Sequence, residues 1–288
     1  ARPGVYIFFF VSGFAIYRFA LSDISLLKIP RFYLRRCARL MPALILYLSV
    51  CLALGWAGYI DYSIFNFFAP MTYLTNTVLV NPTRYGGHTW SLSFEEQYYL
   101  IFPLLLLWAK LDLAKKCALL FASIVLIALP VVFTIPWVGK TGVFAVWFLL
   151  LAGAFAAKAE LDIKPMPYAN FMFLFALALL VYSRAEGIPE FALRVIDGIV
   201  LPVLILSGLK FRPVNYVVSA KPMVFIGGIS YSLYLWQQLF TGPWIRDIGL
   251  SHAAMLFPAL ICISWVSKIA IEDRLKNFLY SKIDQNRY

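Results

Sequence analysis

Of 288 residues, 62% are hydrophobic and only 14% charged, and the mean hydropathy is +0.80. Those charges are too few to cover a soluble surface, whereas a bilayer asks for runs of about 20 apolar residues. The composition therefore excludes a soluble enzyme and predicts an all-α, polytopic bundle of transmembrane helices. A net charge of +11 does not point to nucleic acid, because the cations sit in short loops between apolar runs and form no single basic face.

Taken in chain order, apolar runs predict about nine spans, at 4–20, 40–60, 89–108, 117–136, 142–157, 168–184, 194–209, 223–240 and 252–270. Loops after the odd-numbered spans, with the C-terminal tail, hold 18 Lys and Arg against 5 in the opposite loops. That asymmetry assigns the RFYLRRCARL side and the C-terminus to the cytoplasm. Residues 61–88 carry only Asp61 and Arg84 as charges. A crossing there would invert the charge asymmetry downstream, so an interfacial or re-entrant segment is expected.

Nine spans with a cytoplasmic C-terminus put residue 1 outside, yet ARPGVYIFFFVSGFAIYRF has neither an initiator Met nor the basic region of a signal peptide. The expectation is one further span upstream, ten in the intact protein. Residues 1–288 then form a single membrane domain, N-terminally truncated, with no fused extracytoplasmic domain. Cys37, Cys51, Cys117 and Cys262 form no CxxC pair and read as packing residues. With two histidines, His88 and His252, no metal centre is expected.

Three stretches carry polar groups where lipid is predicted. HTWSLSFEEQYYLIFP, 88–103, places Glu95 about 9 Å inside the span that starts at Thr89. A charge near the bilayer centre costs about 3 kcal/mol. Helical spacing puts Ser91, Glu95, Tyr98, Tyr99 and Phe102 on one face, with Trp90 and Glu96 beside it. Such a face suits an interior cavity, which Pro103 can open by kinking the helix. The structural alternative is an acid paired with an arginine of another helix, fixing packing only.

KIPRFYLRRCARLMP, 28–42, holds five cations and no acid, with Arg35 and Arg39 on one face and Arg36 adjacent. Guanidinium forks match phosphate oxygens, although juxtamembrane cations also serve topology and anionic lipid. GGISYSLYLWQQLF, 227–240, is unusually polar through Ser230, Tyr231, Ser232, Tyr234 and Gln237. Gly227 and Gly228 would permit close helix approach, and the Tyr-Ser-Tyr-Gln set suits a cavity lining. His88 stands at the outer boundary, as a solvated loop residue or a site residue.

Together, GVYIFFFVSGFAIYRF, RFYLRRCARLMP, HTWSLSFEEQYYLIFP and ISYSLYLWQQ resemble, in order along nearly the whole chain, the acyltransferase 3 family of integral membrane O-acyltransferases. The resemblance implies a ten-helix fold and a principal histidine on a first helix upstream of residue 1. It also implies transfer of an acyl group, usually acetyl, from cytoplasmic acyl-CoA to a hydroxyl of an extracytoplasmic sugar, polysaccharide or glycolipid. It sets the protein in a bacterial inner membrane. Arg35, Arg36 and Arg39 would meet the donor's phosphates. Glu95 would be the motif acid and Glu96 its neighbour, with Tyr98, Tyr99 or Tyr231 donating to the oxyanion. His88, Trp90, Ser91, Ser232 and Gln237 would meet the acceptor.

Two departures from the family pattern stand out: Gln237 where many relatives have His, and Arg274 where many have Pro after Glu272. The expected partners are acyl-CoA, a carbohydrate or glycolipid acceptor and membrane lipid, with no metal and no nucleic acid. The rival reading is a transporter or lipid flippase with no acyl transfer.

Overall fold

A computed structural model of the chain describes residues 2–21, 25, 28–77, 85–108, 139–158, 168–184, 188–241 and 250–285. The described elements are all helical, and none is a strand. In chain order they are α1 (Arg2–Ile16, continued by a π turn Tyr17–Leu21), α2 (Ile29–Trp56), α3 (Ile64–Met71) and α4 (Trp90–Trp108). Then follow α5 (Gly139–Lys158), α6 (Ala169–Tyr182), α7 (Glu190–Lys210), α8 (Arg212–Val218) and α9 (Lys221–Gly228). Last come α10 (Ser230–Phe240), α11 (Leu250–Ser267), a π segment (Lys268–Asp273) and α12 (Arg274–Gln285). The all-α expectation is met. The predicted span at 117–136 lies outside the described residues.

Two helical runs, Ile29–Trp56 and Met255–Ile283, are long and apolar enough to cross a membrane, and Gly4–Phe19, Val146–Lys158 and Ala169–Tyr182 are shorter apolar helices. The inside-out pattern of α6 shows why the chain suits lipid. Its only buried residues are the small Ala169 and Ala176, while Phe171, Leu174, Phe175 and Val181 are exposed. Among lipid tails the hydrophobic effect gives no inward drive, so small residues mark the helix contact and large ones face outward.

The chain divides into two compact units, residues 1–24 with 94–223 and residues 25–93 with 224–288. In the first, α1 lies against α5. A Cβ at Gly13 would run into the Leu150 carbonyl, and one at Gly153 into the Phe10 carbonyl. The two glycines thus let the two backbones meet, which explains Ser12-Gly13 within the aromatic run. Within the same unit Asp197 of α7 is buried and takes Arg184 at 2.5 Å, an acid in the expected span 194–209 that the sequence reading passed over.

The second unit is organised by α2. Leu40, Leu44, Tyr47, Leu48 and Cys51 are buried, recurring every three or four residues as one helix face. This helix starts at Ile29, eleven residues before the predicted span, because Pro30 fits the first turn and nothing in RFYLRRCARL breaks a helix. At 28 residues it is about 42 Å long, more than the roughly 30 Å hydrocarbon layer needs. The arginines therefore stand on its extra turns. α3 has 8 residues and reaches only about 12 Å, shorter than a hydrocarbon layer of about 30 Å.

One expectation is corrected. Gly227 and Gly228 bring no helix close, since a Cβ on either would meet nothing within 4 Å. They sit at the end of α9, where the predicted span 223–240 breaks at Ile229, and weak helix propensity is their contribution. Close approach belongs to Gly13 and Gly153. Gly13→Ala and Gly153→Ala should each lower stability by about 1–3 kcal/mol through overpacking, with a fall in detergent melting temperature that Gly227→Ala does not show.

Candidate active site

His88 is presented by a single 3₁₀ turn, Gly87–Thr89, just ahead of α4. The Thr89 hydroxyl closes that turn by donating to the Gly86 carbonyl at 2.7 Å. From α10, the Tyr234 hydroxyl donates to the His88 carbonyl at 2.5 Å. With that proton committed, Ser91 is the donor in the 2.9 Å bond between its hydroxyl and that of Tyr234. The N-terminal turn of α4 and α10, the predicted third and eighth spans, are therefore joined within the second unit.

Aromatic rings enclose the imidazole. Tyr47 meets it edge-on at 5.6 Å, Tyr234 lies tilted at 5.1 Å, and Trp236 in turn meets Tyr47 edge-on at 5.6 Å. The Tyr47 hydroxyl is held by donating to the Tyr85 carbonyl at 2.6 Å. His88 as a residue is half-buried, yet Nδ1 and Nε2 are both covered and neither makes a hydrogen bond of good geometry. The Trp236 Nε1 is in the same condition. Burial pushes the imidazolium down to about 4, opposed in part by the Leu235 backbone, so the ring is neutral at physiological pH. A covered neutral imidazole with both nitrogens unmatched is an arrangement a ligand hydroxyl can complete.

The arginine stretch of α2 belongs to the same unit. Tyr280 of α12 donates to the Arg35 carbonyl at 3.3 Å, and the Arg35 guanidinium lies 5.4 Å over its ring, a cation–π contact. Arg39, one turn on, is exposed and within electrostatic reach of Glu272. Glu272 lies in the π segment and accepts a short hydrogen bond from Ser232. The Tyr231 hydroxyl donates to the Leu40 carbonyl at 2.9 Å, pinning α10 to α2. Among the described residues no three of His, Cys, Asp and Glu gather as metal ligands.

In the first unit, Glu95 is 5% exposed and its Oε1 accepts the Tyr99 hydroxyl at 2.7 Å, one turn along α4. The Tyr98 ring stacks on Phe102 at 4.7 Å and meets Trp147 at 5.6 Å. The Tyr98 hydroxyl and Trp147 Nε1 are both buried without a hydrogen bond. All five residues of the predicted face, Ser91, Glu95, Tyr98, Tyr99 and Phe102, are buried, while Trp90, Glu96 and Gln237 are half-buried. Sequence reasoning missed Tyr47, Trp236 and Tyr280. Their only signal was the periodic burial of α2 and the aromatic content of α10 and α12, which does not reveal what they touch.

Residues 1–271 match the acyltransferase 3 family model, described as an acyltransferase domain, and the chain belongs to that family. It is similar to proteins named "Putative O-acetyltransferase" from Staphylococcus aureus strains COL and MSSA476. Each is 26% identical, over 81% of this chain and 45% of the relative. An uncharacterised Haemophilus influenzae protein is 33% identical over 36% of this chain and 48% of its own length. The chain thus spans less than half the length of these relatives, and no solved structure matches it significantly.

A linkage test follows from His88. Its folded pKa of about 4 lies below the unfolded value of about 6.5. Stability from keeping the ring neutral is therefore full above pH about 6.5 and is lost as pH falls toward 4. Melting temperature measured across that window should fall more steeply for the wild type than for His88→Gln; equal slopes would remove the shift.

Proposed function

We propose that the protein is a membrane O-acyltransferase that moves an acyl group, acetyl by analogy with its named relatives, from acyl-CoA to a hydroxyl of an extracytoplasmic sugar, polysaccharide or glycolipid. Membership of the family supports acyl transfer. The observation that carries the acceptor side is the covered imidazole of His88, set against Tyr47 and Tyr234 with no hydrogen bond of good geometry at either nitrogen among the described residues. Aromatic faces suit the C–H face of a sugar, and the imidazole accepts a hydrogen bond from the hydroxyl that attacks. Ser91 holds Tyr234 in place, and Trp90, Ser232 and Gln237 complete the acceptor group of residues.

On the donor side, Arg35, Arg36 and Arg39 would receive the phosphates of the coenzyme, which needs bidentate cations more than point charges. The acceptor oxygen bonds to the acyl carbon, the carbon–sulfur bond breaks, and the hydroxyl proton ends on the departing thiolate. Tyr98, whose hydroxyl proton is uncommitted, is the phenol best able to donate to a developing oxyanion. Tyr99 and Tyr231 already donate, to Glu95 and to Leu40, and act by holding their partners. Glu95, with Glu96 beside it, keeps the role of motif acid that the family resemblance implies.

Nine crossings in this chain, a cytoplasmic C-terminus and a bacterial inner membrane complete the proposal. The charge asymmetry and the lipid-suited helices support it.

With acyl-labelled acetyl-CoA and envelope glycans, the reconstituted protein should label the glycan. His88→Ala should slow transfer by about 10²-fold with little change in the KM for donor. Movement of a glycolipid across the bilayer without any label transfer would establish the transporter reading instead.

A further inference from the structure

Arg212 at the start of the short helix α8 and Lys221 at the start of α9 are two cations that the acyl-transfer reading leaves unused. Arg212, Asn215, Tyr216 and Ser219 recur at intervals of three, four and seven residues and so share one helical face. With Ala220 and Lys221 they line an open groove of about 550 Å³. The Ser219 hydroxyl donates to Asn215 Oδ1 at 3.1 Å, which leaves the Asn215 amide nitrogen as a donor. Neither Arg212 nor Lys221 is ion-paired among the described residues, and no carboxylate lines the groove.

Two cations, an amide N–H pair and a phenol therefore share a groove that offers them no anion. A phosphate group brings the negative charge and several acceptor oxygens that such a set can satisfy. Lysine and arginine on a solvated helix face are often only a topology signal. Here, however, they are joined by an amide fixed in its donor orientation and by Tyr216, which is 81% exposed beside them. The remaining side of α8 is apolar: Val217 and Val218 are exposed, as on a helix that rests in an interface. All these residues belong to the first unit, and the loop is one that the charge asymmetry assigns to the cytoplasm.

We propose that this groove binds the phosphate of a phosphoester, with Arg212 and Lys221 as its cations and Asn215 and Tyr216 as neutral donors. Two sources share that chemistry, a soluble phosphoester and a phospholipid headgroup. The site is independent of acyl transfer, and no activity readout enters its test.

The intact protein is placed in nanodiscs of phosphatidylcholine alone and titrated with pyrophosphate by calorimetry. In a second arm, native mass spectrometry measures phosphatidylglycerol retained from mixed nanodiscs. Both arms compare the wild type with Arg212→Ala/Lys221→Ala, whose exposed positions should leave the melting temperature unchanged. At least tenfold weaker pyrophosphate binding by the variant supports the site with a soluble ligand. Loss of retained phosphatidylglycerol by the variant, with equal pyrophosphate binding by the two proteins, supports it with a lipid ligand. Indistinguishable wild type and variant in both arms would overturn it.

Discussion

Polar groups withdrawn from water have to be matched within the protein, and that constraint shapes the second unit more than any apolar contact. Four tyrosines answer it in the same way, each giving its proton to a backbone carbonyl. Tyr47 binds Tyr85, Tyr231 binds Leu40, Tyr234 binds His88 and Tyr280 binds Arg35. Every one of these bonds ties a helix to a segment at least 38 residues away. A phenol at such a point supplies an apolar body for packing and one directional bond, so the same residue fills space and sets register. Against that economy, His88 and Trp236 stand out, their ring nitrogens buried without a hydrogen bond among the described residues. Tyr234 could have served the imidazole, yet it is spent on the His88 carbonyl and on Ser91.

The first unit meets the constraint differently. Its helices approach through glycine and alanine, with Gly13 and Gly153 admitting a backbone each, and two of its acids, Asp197 and Glu95, are covered. Asp197 is matched by a cation and Glu95 by a phenol. The difference has chemical meaning. An arginine at 2.5 Å fixes a carboxylate as a charge, which suits a packing role. A tyrosine proton instead gives Glu95 one directional bond within its own helix.

Much of this was legible in the sequence. Composition alone gave an all-helical chain suited to lipid. The period of 3.6 residues placed Ser91, Glu95, Tyr98, Tyr99 and Phe102 on one face, and all five are buried. The shortness of α3 agrees with the charge asymmetry. What could not be read was the matching of partners, because it depends on residues far apart in the chain. Asp197 and Arg184 are 13 apart, Ser232 and Glu272 are 40 apart, and Ser91 and Tyr234 are 143 apart. Gly227 and Gly228 were misread for a related reason: a glycine in a helix marks either a close neighbour or a break, and only the fold tells which. The length of α2 was not legible from the span 40–60 alone, because the helix continues upstream through its arginines.

The central claim is that the His88 imidazole is kept neutral and unmatched in the resting protein so that an acceptor hydroxyl can complete it. Because the chain has only two histidines, selective nitrogen-15 labelling of histidine resolves this ring directly, with His88→Gln assigning its signals. The account predicts shifts of a neutral ring lacking strong hydrogen bonds at pH 7, and a displacement of one nitrogen when acceptor glycan is added. A ring already protonated or strongly hydrogen-bonded at rest, and unmoved by the glycan, would contradict it.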